Sequence, residues 1–166
     1  MNQYTDTEFE TIISPILEIE EFRQLKFITH HGITRYDHCM RVAYMSYAVT
    51  KALRLNYKEV TIAALLHDFF TDEVDEENSM DRLRKHPEYA VKNASKYVEL
   101  SDMQVDIIRT HMFPVTFTPP KYLESWIVDF VDDLAALYER GYAVRREAQT
   151  AMFLFMFVVV NFVKMR

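Results

Sequence analysis

Apolar residues return every third or fourth position along most of the chain, a spacing that predicts helices rather than strands. Ser14-Pro15 has the form of an N-cap followed by proline at the first helical position. Ile16, Ile19, Phe22 and Phe27 then keep helical spacing as far as Gly32. A second helix is expected over about 34–53, where His38, Val42, Met45, Val49 and Leu53 share a stripe. Asn56-Tyr57-Lys58-Glu59 matches a capping box and should open a third helix, with Val60, Ala63, Ala64 and His67 on one side. After the acidic break at 71–78, His86-Pro87 is expected to start a helix that turns Ala90, Val91, Ala94, Tyr97 and Val98 inward. Ser101-Asp102-Met103-Gln104 is another capping box, and its helix should end near His111 because Pro114 follows. Pro119-Pro120 leads into a long helix over about 122–140, closed by Gly141, and a last helix is expected over about 144–164. Nothing alternates with period two, so the predicted fold is all-α, a bundle of about six to eight helices.

Composition narrows the picture. The 166 residues suit one domain, and nothing in the chain reads as a linker. Gly32 and Gly141 are the only glycines, too few for a sandwich or a dinucleotide-binding loop. The formal charge of −6 argues against a nucleic acid polymer as partner. Cys39 stands alone, which fits a reducing, cytoplasmic setting. The polar, acidic start MNQYTDTEFE is unlike a signal peptide. The apolar run Ala151–Val163 is shorter than the ~20 residues of a membrane span. It is expected to be a core or interface helix, with a homodimer contact as its candidate role.

Against this apolar background the ionisable residues stand out. Ala64-Leu65-Leu66 runs directly into His67-Asp68 before Phe69-Phe70, and polar groups at the end of a buried run are costly unless something satisfies them. His38 shares the stripe of Val42 and Met45, His86 precedes Pro87, His111 ends a helix, and Asp129, Asp132 and Asp133 interrupt an apolar helix. Taken singly, these read as a core histidine, a helix cap, a dipole partner and a solvated face. Taken together, imidazoles and carboxylates are what a divalent transition metal binds, and a helical bundle can aim them at one point.

The segments RYDHCMRVA (35–43), AALLHD (63–68), HPEYA (86–90), IIRTH (107–111) and IVDFVDD (127–133) resemble the HD superfamily of metal-dependent phosphohydrolases, over roughly residues 30–140. The two extra histidines resemble its dinuclear branch. The resemblance implies that His38, His67, Asp68 and Asp132 hold one metal and that His86 and His111 hold a second. Asp68 would bridge them, and Asp129 is the alternative to Asp132. Mixed N/O donors favour Fe, Mn, Co or Ni, with Zn or Mg as alternatives. Metal-activated water would attack the phosphorus of a small phosphorylated substrate, with Asp68 and Arg35 as catalytic residues and Arg35 reaching a phosphate. Two family lysines are replaced, by Thr71 and Asp133. That departure keeps open a catalytically silent metal- or ligand-binding module. The apolar C-terminal run keeps open an interaction protein.

Overall fold

The computed structural model describes residues 6–30, 32–71, 79–141 and 144. It is an all-α bundle, as expected. Helix α1 spans Thr7–Leu17, α2 Glu20–Arg23, α3 Arg35–Ala52, α4 Tyr57–Leu66, α5 Ser79–Ala94 and α6 Asp102–Thr110. A helix over residues 123–141 follows and is α7. A 3-10 turn, Gln24–Phe27, leads into a two-stranded antiparallel hairpin, Thr29–His30 (β1) with Ile33–Thr34 (β2). Strands this short leave no period-two pattern. Gly32, at φ 85°, makes the reversal, a conformation glycine adopts without steric cost. The acidic stretch 72–78 and the expected C-terminal helix beyond 144 lie outside the described residues.

The helix starts depart from expectation in two places. The first helix begins at Thr7, because Asp6 accepts from the amides of Glu8 and Phe9. Pro15 therefore lies inside α1, where Ser14 Oγ donates at 3.1 Å to Thr11 O, the carbonyl that Pro15 lacks an N–H to reach. Likewise α5 starts at Ser79 and Pro87 falls within it, so His86 is a mid-helix residue rather than a cap. Asn56 is the N-cap of α4, which starts at Tyr57 as expected, but the capping box is not made, and the Asn56 side-chain amide donates instead to Glu59 Oε1 at 2.6 Å. The capping box of Ser101 and Gln104 is present in full. Gly141 is the last residue of the described run of α7, and Val144 is helical as well.

Helix α3 is the spine. Thr34 caps its first turn through the Asp37 amide. It ends on Arg54 at φ 58°, where the Leu55 amide reaches Thr50 O and the Arg54 amide reaches Lys51 O, a Schellman stop. Its neighbour α4 packs along it and also meets α1 and α6, while α6 packs on α5. Phe9, Phe22, Leu25, Leu65, Phe69 and Ile107 are fully buried between these elements. Each such side chain contributes about 1.5–3 kcal/mol by leaving water. Asp106 fixes the start of the last helix by accepting from the Lys121 amide (2.9 Å) and Ser125 Oγ (2.7 Å). Among the described residues no helix is long and apolar enough to cross a membrane.

Candidate metal centre

Two histidines reach the centre by the same local device. His67 follows the last residue of α4 and its Nδ1 donates to Ala64 O at 2.8 Å. His111 follows the last residue of α6 and its Nδ1 donates to Ile108 O at 2.8 Å. Each thereby satisfies a carbonyl that the helix end leaves unpaired, and each ring is turned so that Nε2 faces inward. Asp68, one residue beyond the end of α4, follows into the same space. This answers the cost of ending a buried apolar run on His-Asp.

The other members come from helix interiors. On α3, His38 is carried by the buried stripe that includes Val42 and Ala43. His86 lies on α5 in line with the buried Ala90 and Ala94. Asp132 lies on α7, in line with the buried Val128 and Ala135. All six residues are nearly or fully withdrawn from water.

The distances divide them into two overlapping groups. Asp132 Oδ1 is 2.9 Å from His38 Nε2 and 3.5 Å from His67 Nε2, and the two Nε2 atoms are 3.3 Å apart. Asp68 Oδ2 is 4.0 Å from His67 Nε2. On the other side, Asp68 Oδ1 is 3.3 Å from His86 Nε2 and 3.7 Å from His111 Nε2, and those two nitrogens are 2.9 Å apart. The two oxygens of Asp68 thus face different groups. His38, His67 and Asp68 could hold a metal, as could His67, His111 and Asp132, and Asp68, His86 and His111. Asp129 joins none of these groups.

The residues fit cations in this space. With Nδ1 of His38, His67 and His111 tied to Glu139, Ala64 O and Ile108 O, the rings, when neutral, aim Nε2 lone pairs at one another. Facing lone pairs at such distances need a proton or a metal cation between them. Asp132 Oδ1 is buried and close to His38, yet without hydrogen-bond geometry to any partner. That is the arrangement of ligand atoms directed at a common point.

Charge coupling shows in the protonation of these groups. Burial works to lower the His38 pKa, but contacts with Asp132 and Glu139 overcome it and push it up to about 10. His67 is also raised, by Asp68 and Asp132 against its own burial. The same imidazoles hold Asp132 well below the usual carboxylate range despite burial. His111 is pushed down to about 3, chiefly by burial and then by the charges of His67 and His86. Asp129 is pushed up to about 7 by burial and by Asp133.

One residue of the site is not foreseen by the sequence reading. Glu139 is fully buried, its Oε2 lies 2.9 Å from His38 Nδ1, and its other oxygen pairs with Arg41. Because Asp132 Oδ1 lies 2.9 Å from the opposite nitrogen, one helix places a carboxylate on each side of the His38 ring. The only sequence signal is the seven-residue spacing of Asp132 and Glu139, two helical turns on one face.

Arg35 is buried beside the segment that follows His67-Asp68. Its Nη1 donates to Phe70 O at 2.6 Å, and its guanidinium stands 3.8 Å from the centre of the Phe70 ring. That ring in turn packs 5.1 Å from His86. Cys39 is buried, and its thiol pKa is pushed well up by that burial, so it is a packing residue.

No curated protein and no solved structure matches the chain. A family model described as HD domain matches residues 35–137, which include all six clustered residues and stop short of Glu139. With that match over most of its length and a buried His/Asp cluster compatible with the family's metal site, the chain belongs to the HD-domain family.

Proposed function

We propose that the protein is a metal-dependent phosphohydrolase with a two-metal centre, acting on a small phosphorylated metabolite of nucleotide-like character. The observation that carries this reading is the division of one carboxylate, Asp68, between two histidine groups. HD domains bind divalent metals and belong to a superfamily of metal-dependent phosphohydrolases. His38, His67, Asp68 and Asp132 would hold one cation, and Asp68, His86 and His111 the other. Fe, Mn, Co or Ni suits these mixed donors best. Such a pair supplies a water of lowered pKa and neutralises charge on the phosphoryl oxygens.

The chain's own residues do the rest. Ala64 O and Ile108 O orient His67 and His111, and Glu139 orients His38, so the ligand atoms are fixed in advance of binding. Burial of the cluster excludes bulk water and strengthens every charge interaction within it. We assign Arg35 a positioning role through the Phe70 carbonyl and ring that it contacts, beside His67-Asp68. The lone, buried Cys39 fits a cytoplasmic location.

A second reading, a metal-binding module without turnover, is favoured by Thr71 and Asp133, which stand where the family commonly has lysines. A hydrolysis screen separates the two. The metal-loaded protein is assayed against generic phosphoesters, nucleotides and dinucleoside polyphosphates. Turnover of at least one class, abolished by Asp68→Ala, supports the enzyme. Bound metal without turnover of any class supports the silent module.

A further inference from the structure

Helix α7 turns two different faces to two different surroundings. Ser125, Val128, Asp129, Asp132, Ala135 and Glu139 are buried against the domain. Leu123, Phe130, Leu134, Leu137 and Val144 are exposed, Phe130 at 63% and Leu137 at 69%. With the half-buried Ile127 and with Gly141, these positions are spaced alternately four and three apart, the a/d seam of a heptad repeat. Gly141, itself helical, leaves one seam position without a side chain. The buried residues named above fall at the b, c and f positions, which in a helix pair face away from the partner.

In the sequence the same register continues through Ala148, Ala151, Phe155, Val158 and Phe162, all of them apolar. A surface helix needs one apolar stripe, facing its own core. Apart from Ile127, which also packs against the core, a second stripe in 3.5-residue register is left exposed in the described fold. We propose that the outward seam of α7 is a dimer interface, and that its occupant is the same helix of a second copy of this chain.

Two features favour a second copy over the chain's own C-terminus or a lipid surface. Folding the C-terminal residues back onto the seam needs a reversal, yet residues 142–160 contain no Gly, Pro, Asn, Asp or Ser. The seam is also bordered by Asp133, Arg140 and Glu147 at heptad g positions, the charged edge of a helix pair rather than of a lipid-facing surface. Pairing through this face covers none of the six clustered residues, because Asp132 is on the opposite side of the helix.

Sedimentation equilibrium of the full chain at micromolar concentration decides the matter. The expected mass is twice the 19.8 kDa of one chain. The double variant Phe130→Glu/Leu137→Glu should sediment as a monomer with an unchanged helical signal and unchanged metal content. A monomeric wild type overturns the proposal, as does a double variant that stays dimeric. If the double variant loses its helical signal, Leu137→Ala decides: a dimer weakened about tenfold is expected, and an unchanged dissociation constant overturns the proposal. A monomeric wild type that co-sediments with phosphatidylethanolamine/phosphatidylglycerol vesicles would make the seam a lipid contact and likewise sink it.

Discussion

Glu139 Oε2 lies 2.9 Å from His38 Nδ1, and both side chains are almost wholly buried. A carboxylate behind a metal-facing imidazole fixes its orientation and raises its basicity. Glu139→Gln keeps the shape and an accepting oxygen but removes the charge. The variant should fold normally and bind Co or Mn about ten- to a hundredfold more weakly, as read by competitive titration. Glu139→Ala should also cost about 3 kcal/mol in urea unfolding, because it leaves Arg41 and His38 without their partner. Unchanged metal affinity in Glu139→Gln would remove Glu139 from the site.

The two histidine groups should come apart by mutation. His111 Nε2 lies 2.9 Å from His86 Nε2 and 3.7 Å from Asp68 Oδ1, and its ring also packs on His67 with Asp132 within ligand reach. His111→Ala is therefore predicted to lower the metal content from about two equivalents to about one. Asp68→Ala, which strips a ligand from both groups, should lower the content below that of His111→Ala. Metal analysis of the three proteins side by side checks the order.

Metal and proton compete for His38. Its pKa of about 10 in the folded chain lies above the ordinary 6.5. The charged ring therefore stabilises the metal-free fold fully below pH 6.5, and this stabilisation is lost as pH rises towards 10. At pH 7 a cation must displace that proton. His111, held down to about 3, is already neutral and releases none. Calorimetric titration with metal at pH 7, in two buffers of different ionisation enthalpy, should show net proton release. Heats that do not depend on the buffer would contradict the protonation pattern.

Arg35 should matter through Phe70. Arg35→Met removes the donor to Phe70 O and the cation over the Phe70 ring, at a cost of about 1–3 kcal/mol. Because that ring packs on His86, the site of His86 and His111 should weaken more than that of His38. A thermal melt and a two-site metal titration of the variant test both parts.

What could be read from the sequence follows from where the controlling contacts lie. Ser101 and Gln104 predict their helix start because both partners of the box are local. Asn56 and Glu59 have the same form and also mark a helix start, but the box itself is not made, because the side chains bond each other. Pro15 and Pro87 suggest helix starts, but the Asp6 cap and the inward packing of His86, Ala90 and Ala94 carry the helices through them. His67, Asp68 and His111 are legible because they end apolar helices. Glu139 is not, since an acidic residue on a two-faced helix looks solvated until the His38 ring is seen against it. The outward seam of α7 is hidden for a related reason: an apolar position in sequence does not say which of two faces is covered.

The most direct test of the shared centre is metal analysis of the full-length chain after reconstitution with Mn, Fe, Co or Ni and removal of free ion. About two equivalents should remain on the wild type and about one on His111→Ala. A wild type that retains no metal would contradict the assignment of His38, His67, Asp68, His86, His111 and Asp132 as one paired site.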